Sequence, residues 1–388
     1  MTERRALDID ALLDDPATRI VVCCGSGGVG KTTTAAALGV RAAERGRRVV
    51  VLTIDPARRL AQSLGITELD NDPRRIEIAG AAGTLDAMML DMKRTFDEVV
   101  AAHADEGRAE AIFANPFYQA LSSSFAGTQE YMAMEKLSQL RTRAEQDGGW
   151  DLIVVDTPPS RSALDFLDAP RRLGRFLDGR LVRTFAAPAR AGGRAYMRVL
   201  NAGVGVFTGV LDRVIGGALL ADIQTFVASL DSMFGGFRER AEDTYRVLKD
   251  EGTAFLVVAA PEPDALREAT YFVERLGDEG MPLAGMILNR MAIARAPWLS
   301  TEQSSVAAAS TDDRFVRDLL QCHVEELALA THDRHLRDRF AAAHPQVLMA
   351  EVPAQPTDVH DLAGLHEVGA ALAGKPAAAG SAGTKRSG

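Results

Sequence analysis

The sequence predicts a doubly wound α/β fold: a mostly parallel sheet with an inserted helical subdomain. Three observations carry this prediction. Short apolar runs rich in β-branched residues alternate with helical patterns along most of the chain. Those runs are largely unbroken, as strands buried on both faces require. Two stretches, 106–145 and roughly 179–248, hold helical patterns with no strand between them. Alternation of this kind places ligands at the carboxyl ends of the strands.

Residues 2–15 are polar and acidic, with at most a short amphipathic helix around Leu7 to Leu13 and no secretory signal. The first strand, Ile20–Cys24, leads straight into Gly25-Ser26-Gly27-Gly28-Val29-Gly30-Lys31-Thr32. A helix is expected at 32–45, then strands at 49–54 and 85–90 and a helix at 92–102. A helix at 129–144 precedes a strand at 152–156. Further strands at 255–260, 283–289 and 347–352 alternate with helices at 264–278 and 312–342. The expected core is 17–105, 146–178 and 249–373, after an N-terminal extension at 1–16. Segments 106–145 and 179–248 form the helical subdomain, and 374–388 reads as a disordered tail.

The second insertion is strongly apolar, with Val204, Phe207, Leu211, Ile215, Leu219 and Phe226 interspersed with Gly203, Gly205, Gly209, Gly216 and Gly217. Two readings stand side by side: a buried core helix pair, or a groove or lid covered in one state and opened in another. The run 199–211 is bounded by Arg198 and Asp212 and is too short to span a bilayer. A net charge of −9 argues against a nucleic-acid surface. Three cysteines, two of them adjacent in an apolar strand, make no disulfide framework and point to a reducing compartment. A soluble cytoplasmic protein is expected, with any membrane role peripheral.

Residues 25–32 satisfy G-x-x-x-x-G-K-[ST] at every position. Glycines let successive N–H groups turn toward a phosphate, and the new helix aims its positive end at the same place. The expected phosphate-binding residues are Gly27, Gly28, Val29, Gly30, Lys31, Thr32 and Thr33. Lys31 neutralises β/γ oxygens, and the Thr32 hydroxyl ligates Mg²⁺. Asp156, ending an apolar strand before Thr157-Pro158-Pro159, is placed to hold the Mg²⁺ shell, a reading preferred over a helix cap. Asp55 ends the second strand before Pro56. It serves either to activate the attacking water or as a turn residue, and spacing alone leaves both open.

These residues together carry a resemblance. Gly-x-Gly-Gly-Val-Gly-Lys-Thr, Asp55-Pro56-Ala57, Asp156-Thr157-Pro158-Pro159 and Phe166-Leu167-Asp168-Ala169-Pro170 resemble the deviant-Walker ATPases of the arsenical-pump and tail-anchored-protein-targeting group. So do Gly127-Thr128-Gln129-Glu130, Ile287-Leu288-Asn289-Arg290 and Glu351-Val352-Pro353. The likeness covers about residues 17–372 and is strongest to an actinobacterial-looking branch of anion-transporting ATPases. It implies ATP and Mg²⁺ as cofactors, Asp55 as the water-activating residue and residues 156–159 as a second switch. It also implies Asn289 at the adenine edge and the Pro353 loop packed on the base. Members dimerise with nucleotide sites face to face, and closure rearranges a helical subdomain that in targeting members holds a client's transmembrane helix.

This chain departs from that pattern at Ser26, where the family has a lysine reaching the partner's phosphates. Charge of that kind is worth on the order of 10³ to 10⁵ in rate. Either a lysine-bearing paralogue completes a heterodimer, the preferred reading, or a homodimer turns over slowly as a switch. The Cys-x-x-Cys of an intersubunit zinc site is missing from the sequence, and Cys23, Cys24 and Cys322 do not form an arsenite site. His332 and His335 read as a solvated helix face. The leading function is therefore ATP hydrolysis coupled to dimer closure, handling a hydrophobic client or membrane-protein partner. The alternatives are a nucleotide-binding regulatory or scaffold subunit and, disfavoured, an arsenite or anion efflux pump subunit.

Overall fold

A computed structural model describes residues 6–55, 58–103, 106–115, 118–119, 122, 128–158 and 242–374. The expected insertion at 179–248, the 166–170 motif, Pro159 and the tail beyond Gly374 lie wholly or largely outside these residues. Packing divides the described chain into two units. The first contains 6–89, 144–158 and 248–374, and the second contains 90–143 and 242–247.

The first unit is built on an eight-stranded sheet. Its strands are β1 (Ile20–Cys24), β2 (Arg48–Thr53), β3 (Arg74–Ile76), β4 (Thr84–Met89), β5 (Leu152–Asp156), β6 (Thr253–Ala259), β7 (Leu283–Met291) and β8 (Met349–Pro353). The order is β3-β4-β2-β5-β1-β6-β7-β8, and every pair is parallel except β3–β4. Strands β1, β5 and β6 are buried along their whole length, which explains their unbroken apolar sequence. β3 was not expected from sequence. Three residues reading Arg-Arg-Ile on an antiparallel edge carry too little apolar pattern to announce a strand.

The helices of this unit are α1 (Ile9–Asp14), α2 (Lys31–Glu44), α3 (Arg59–Ser63), α7 (Pro263–Asp278), α8 (Thr301–Ser310), α9 (Arg314–Ala343) and α10 (Leu362–Leu372). α2 is buried nearly all round, and its alanines let it lie between the sheet and α10. The second unit contains α4 (Met92–His103), α5 (Glu106–Phe113) and most of α6 (Thr128–Asp147). α4 belongs to this unit by packing, although it precedes the segment expected to be inserted. Its Glu98 accepts from Lys136 on α6 at 2.7 Å. Among the described residues no helix is long and apolar enough to cross a membrane.

Residues 6–14 pack into the core of this unit. Ile9 and Leu13 are fully buried, and Ala6 bridges to Met349 of β8. The acids that gave the segment its polar character have partners: Asp10 takes both a 2.6 Å and a 2.7 Å bond from Arg41, and Asp14 pairs with Arg45. Arg47, entering β2, fixes the same corner. Its guanidinium donates to the carbonyls of Leu13 (2.8 Å), Asp15 (3.0 Å), Thr18 (2.8 Å) and Asp151 (2.6 Å), and to the Asp151 carboxylate (2.9 Å).

Replacing Arg47 strands several buried carbonyls and one carboxylate. Arg47→Met is expected to lower unfolding stability by about 3 kcal/mol in urea titration. A loss below about 0.5 kcal/mol contradicts the assigned role.

Candidate active site

The carboxyl ends of β1, β2 and β5 are adjacent, and each delivers chemistry to one edge. In register, Asp156 of β5 stands opposite Cys23 of β1 and Thr53 of β2. Asp156 is completely buried. Its Oδ2 accepts from the Thr32 hydroxyl at 2.8 Å and from the Thr53 hydroxyl at 2.8 Å. Burial pushes its carboxyl up to about 6, opposed by those two hydrogen bonds and by the charge of Lys31.

The loop from β1 to α2 explains its own glycines. A Cβ on Gly25 would stand 2.1 Å from the Val258 carbonyl of β6, so the chain can pass there only without one. Gly30 caps α2 in the left-handed region at φ 93°, and a Cβ there would strike the Asn289 amide at 2.2 Å. Gly27 and Gly28 are exposed, Val29 is buried, and Thr32 and Thr33 are half-buried in the first turn of α2. Lys31 is buried and donates from Nζ to the Ser26 carbonyl at 2.6 Å. Burial draws its ammonium below the usual range, with Asp156 pulling the other way.

The remaining expected residues take three positions. Asp55 is buried just past β2; its N–H donates to the Thr53 hydroxyl at 3.3 Å, and its carboxylate lies 3.9 Å from Arg59. Asn289, near the end of β7, donates from Nδ2 to the Val29 carbonyl at 2.8 Å, joining β7 to the loop. Pro353 ends β8 opposite Met291, apart from the hydrogen-bonded cluster. Residues 25–32, Asp55, Asp156 and Asn289 thus converge on one edge.

One residue here, Thr53, had no role in the sequence pattern, whereas Thr157 fell within the expected second switch at 156–159. Thr53 donates to the Asp156 carboxylate and accepts from the Asp55 backbone N–H, tying the end of β2 to the end of β5. Thr157 donates from Oγ1 to the Cys23 carbonyl at 2.9 Å, tying the end of β5 to β1. A signal for Thr53 was present: a hydroxyl two residues before Asp55, at a strand end.

Two buried polar atoms at this edge have no hydrogen-bond partner, Asp156 Oδ1 and Ser26 Oγ. Orphaned acceptors at this depth are costly unless something binds them. With the left-handed glycines and the Thr32 hydroxyl, they fit a nucleoside triphosphate and its magnesium. The model of the anion-transporting ATPase family matches residues 18–298.

The chain belongs to the anion-transporting ATPase family.

Membership in this family makes the chain an ATPase, with ATP as its nucleotide. Among curated relatives it is 24% identical over 316 residues to "ATPase GET3" of Malassezia globosa, covering 81% of this chain and 85% of the relative. It is 26% identical over 286 residues to "ATPase GET3" of Podospora anserina, covering 73% and 76%. A relative from Pyrenophora tritici-repentis, "ATPase get3", is 24% identical over 289 residues, covering 73% and 76%.

Two outcomes are expected of this geometry. Thr53→Val keeps the shape but removes the hydroxyl, and should weaken magnesium-dependent nucleotide binding about tenfold by calorimetry; an unchanged affinity contradicts the link. Asp156→Asn removes a carboxylate whose folded value, about 6, lies above its ordinary 3.8. The native carboxyl is thus a liability that grows as pH rises from about 4 to about 6 and stays constant above. The nucleotide-free variant should therefore melt higher than the native protein at pH 7.5 and equal to it at pH 3.5. A gain confined to low pH reverses the assignment.

Proposed function

We propose that this ATPase binds Mg-ATP along the loop 25–32 and couples hydrolysis to closure of a dimer that handles a hydrophobic client or membrane-protein partner. The observation that carries the reading is the cluster of half-buried Thr32 with buried Asp156, Thr53 and Asp55. It gathers two hydroxyls and two carboxylates at one strand edge, which supports a cation site there. Thr32 and Asp156 would hold the magnesium, whose contribution when bound is to neutralise charge on the β and γ oxygens. Gly27, Gly28, Val29 and Gly30 present backbone N–H groups, and Thr33 extends the first turn of α2. Lys31 exchanges its bond to the Ser26 carbonyl for the phosphate chain. Asp55 orients the attacking water and takes up its proton. Asn289 supplies a carboxamide for the adenine edge, and Pro353 an apolar side for the base.

The partner and the client rest on family likeness and on the apolar sequence at 179–248. A second reading is favoured by one residue. Ser26 is neutral and 8% exposed, with its hydroxyl oxygen buried. Such a residue cannot lend charge to a neighbouring subunit. A heterodimer with a lysine-bearing paralogue restores that charge; without one, the chain serves as a nucleotide-binding regulatory subunit with little turnover. An arsenite site is disfavoured, because Cys23 and Cys24 are buried in β1 while Cys322 is exposed on α9.

Steady-state hydrolysis by the native protein, by Lys31→Ala and by Asp55→Asn tests the assignment. Asp55→Asn is expected to lower turnover on the order of 10² to 10⁴ while ATP still binds, and Lys31→Ala to lose binding as well. Native turnover in Asp55→Asn contradicts the mechanism. Fast turnover by the native chain alone, unchanged in Ser26→Lys, contradicts the need for a second, lysine-bearing subunit.

A further inference from the structure

β7 does not run regularly to its end. Its pairing with β8 shifts register between Leu288 and Met291. Arg290 sits there at φ 62°, the sole described residue other than glycine in the left-handed region. That conformation is costly for a side chain of this size and persists only where surrounding bonds impose it. The extra residue re-aims its neighbours, as a bulge does.

Bonds on both sides impose it. Before the bulge, Asn289 donates to the Val29 carbonyl at 2.8 Å and lies against Gly30, where any Cβ would collide with it. After the bulge, the Met291 carbonyl accepts from Ala354 at 2.9 Å. The next N–H, that of Ala292, donates to Asp333 Oδ2 at 2.8 Å. Asp333 stands in the middle of α9, 3% exposed. A carboxylate on a helix interior position facing a strand exit satisfies no cap and belongs to none of the sequence motifs.

We propose that Asp333 is a positioning residue for recognition of the nucleotide base. Its carboxylate pins the exit of β7 so that the bulge at 289–290 is kept and the Asn289 carboxamide stays at the nucleotide edge. Without that pin, β7 can slip into regular pairing with β8. Side chains alternate between the two faces of a strand, so a one-residue slip carries Asn289 away from the loop. A carboxamide offers one acceptor and one donor, matching the amino group and ring nitrogen of adenine; guanine places an oxygen where adenine has its amino group. Loss of Asp333 should therefore cost adenine preference while sparing the phosphate contacts of residues 27–32. This inference rests on the assignment of Asn289 to the base, and the experiment separates the two.

Dissociation constants for ATP, GTP and tripolyphosphate are measured on the full-length protein for native, Asn289→Ala, Asp333→Ala, Asp333→Asn and the Asn289→Ala/Asp333→Ala double variant. Asp333→Ala is expected to lower the ATP-over-GTP ratio about tenfold, with tripolyphosphate affinity unchanged within about twofold. Asp333→Asn keeps a carbonyl acceptor at the same place and should restore the ratio. The double variant should match Asn289→Ala alone, because both changes act through one carboxamide. If Asp333→Ala does not fold, Asp333→Ser, whose hydroxyl is too short to reach Ala292, is read in its place. A ratio lowered by Asn289→Ala but untouched by the Asp333 change overturns the inference, as does failure of Asp333→Asn to restore it. A ratio unchanged in Asn289→Ala overturns the base assignment itself.

Discussion

A carboxylate buried at the end of β5 organises the nucleotide edge of this protein. Keeping Asp156 ionised without a cation costs on the order of 3 kcal/mol, since burial raises its proton affinity against two hydroxyl donors and the charge of Lys31. Those donors come from different elements: Thr32 from the start of α2 and Thr53 from the end of β2. Their convergence on one oxygen leaves the other, Oδ1, buried and free for a ligand. Thr53 also accepts from the Asp55 backbone, so Asp55 and Asp156 are tied to one hydroxyl.

The sheet makes this convergence possible and separates it from what stabilises the fold. β1 lies between β5 and β6, and β5 between β1 and β2, so three strand ends meet where the chain order reverses. Chemistry gathers at that carboxyl edge. At the opposite edge, the Arg47 guanidinium and the Asp10–Arg41 pair hold the N-terminal segment to α2 and β2. α2 spans the distance between the two, beginning at Lys31 and ending near Arg41 and Glu44. The loop, exposed at Gly27 and Gly28, can therefore change its bonds at one end while the other end stays fixed.

The phosphate loop was legible in the sequence because its geometry admits few residues. Gly25 is forced by the Val258 carbonyl and Gly30 by the Asn289 amide, so composition and shape coincide. The long strands were legible for the same reason: burial on both faces leaves only apolar residues. Thr53 was not, because threonine is common in strands and its role appears only when β2 and β5 pair in register. The acids of α1 showed in the sequence only as polar character, since their partners Arg41 and Arg45 lie some thirty residues onward. β3, α3, α8 and α10 lacked a distinctive period or were too short to show one. Ser26 was legible as a departure from the family pattern, but the burial of its hydroxyl emerges only from the packed loop.

The position of a divalent cation relative to Asp156 decides the role of this edge. Crystals grown with a non-hydrolysable ATP analogue and Mn²⁺, measured at the manganese edge, give that position directly by anomalous scattering. The account predicts a single strong peak about 2.1 Å from the Thr32 hydroxyl, with the Oδ1 side of Asp156 facing the cation's shell. A nucleotide bound with its cation away from Thr32 and Asp156 would contradict it.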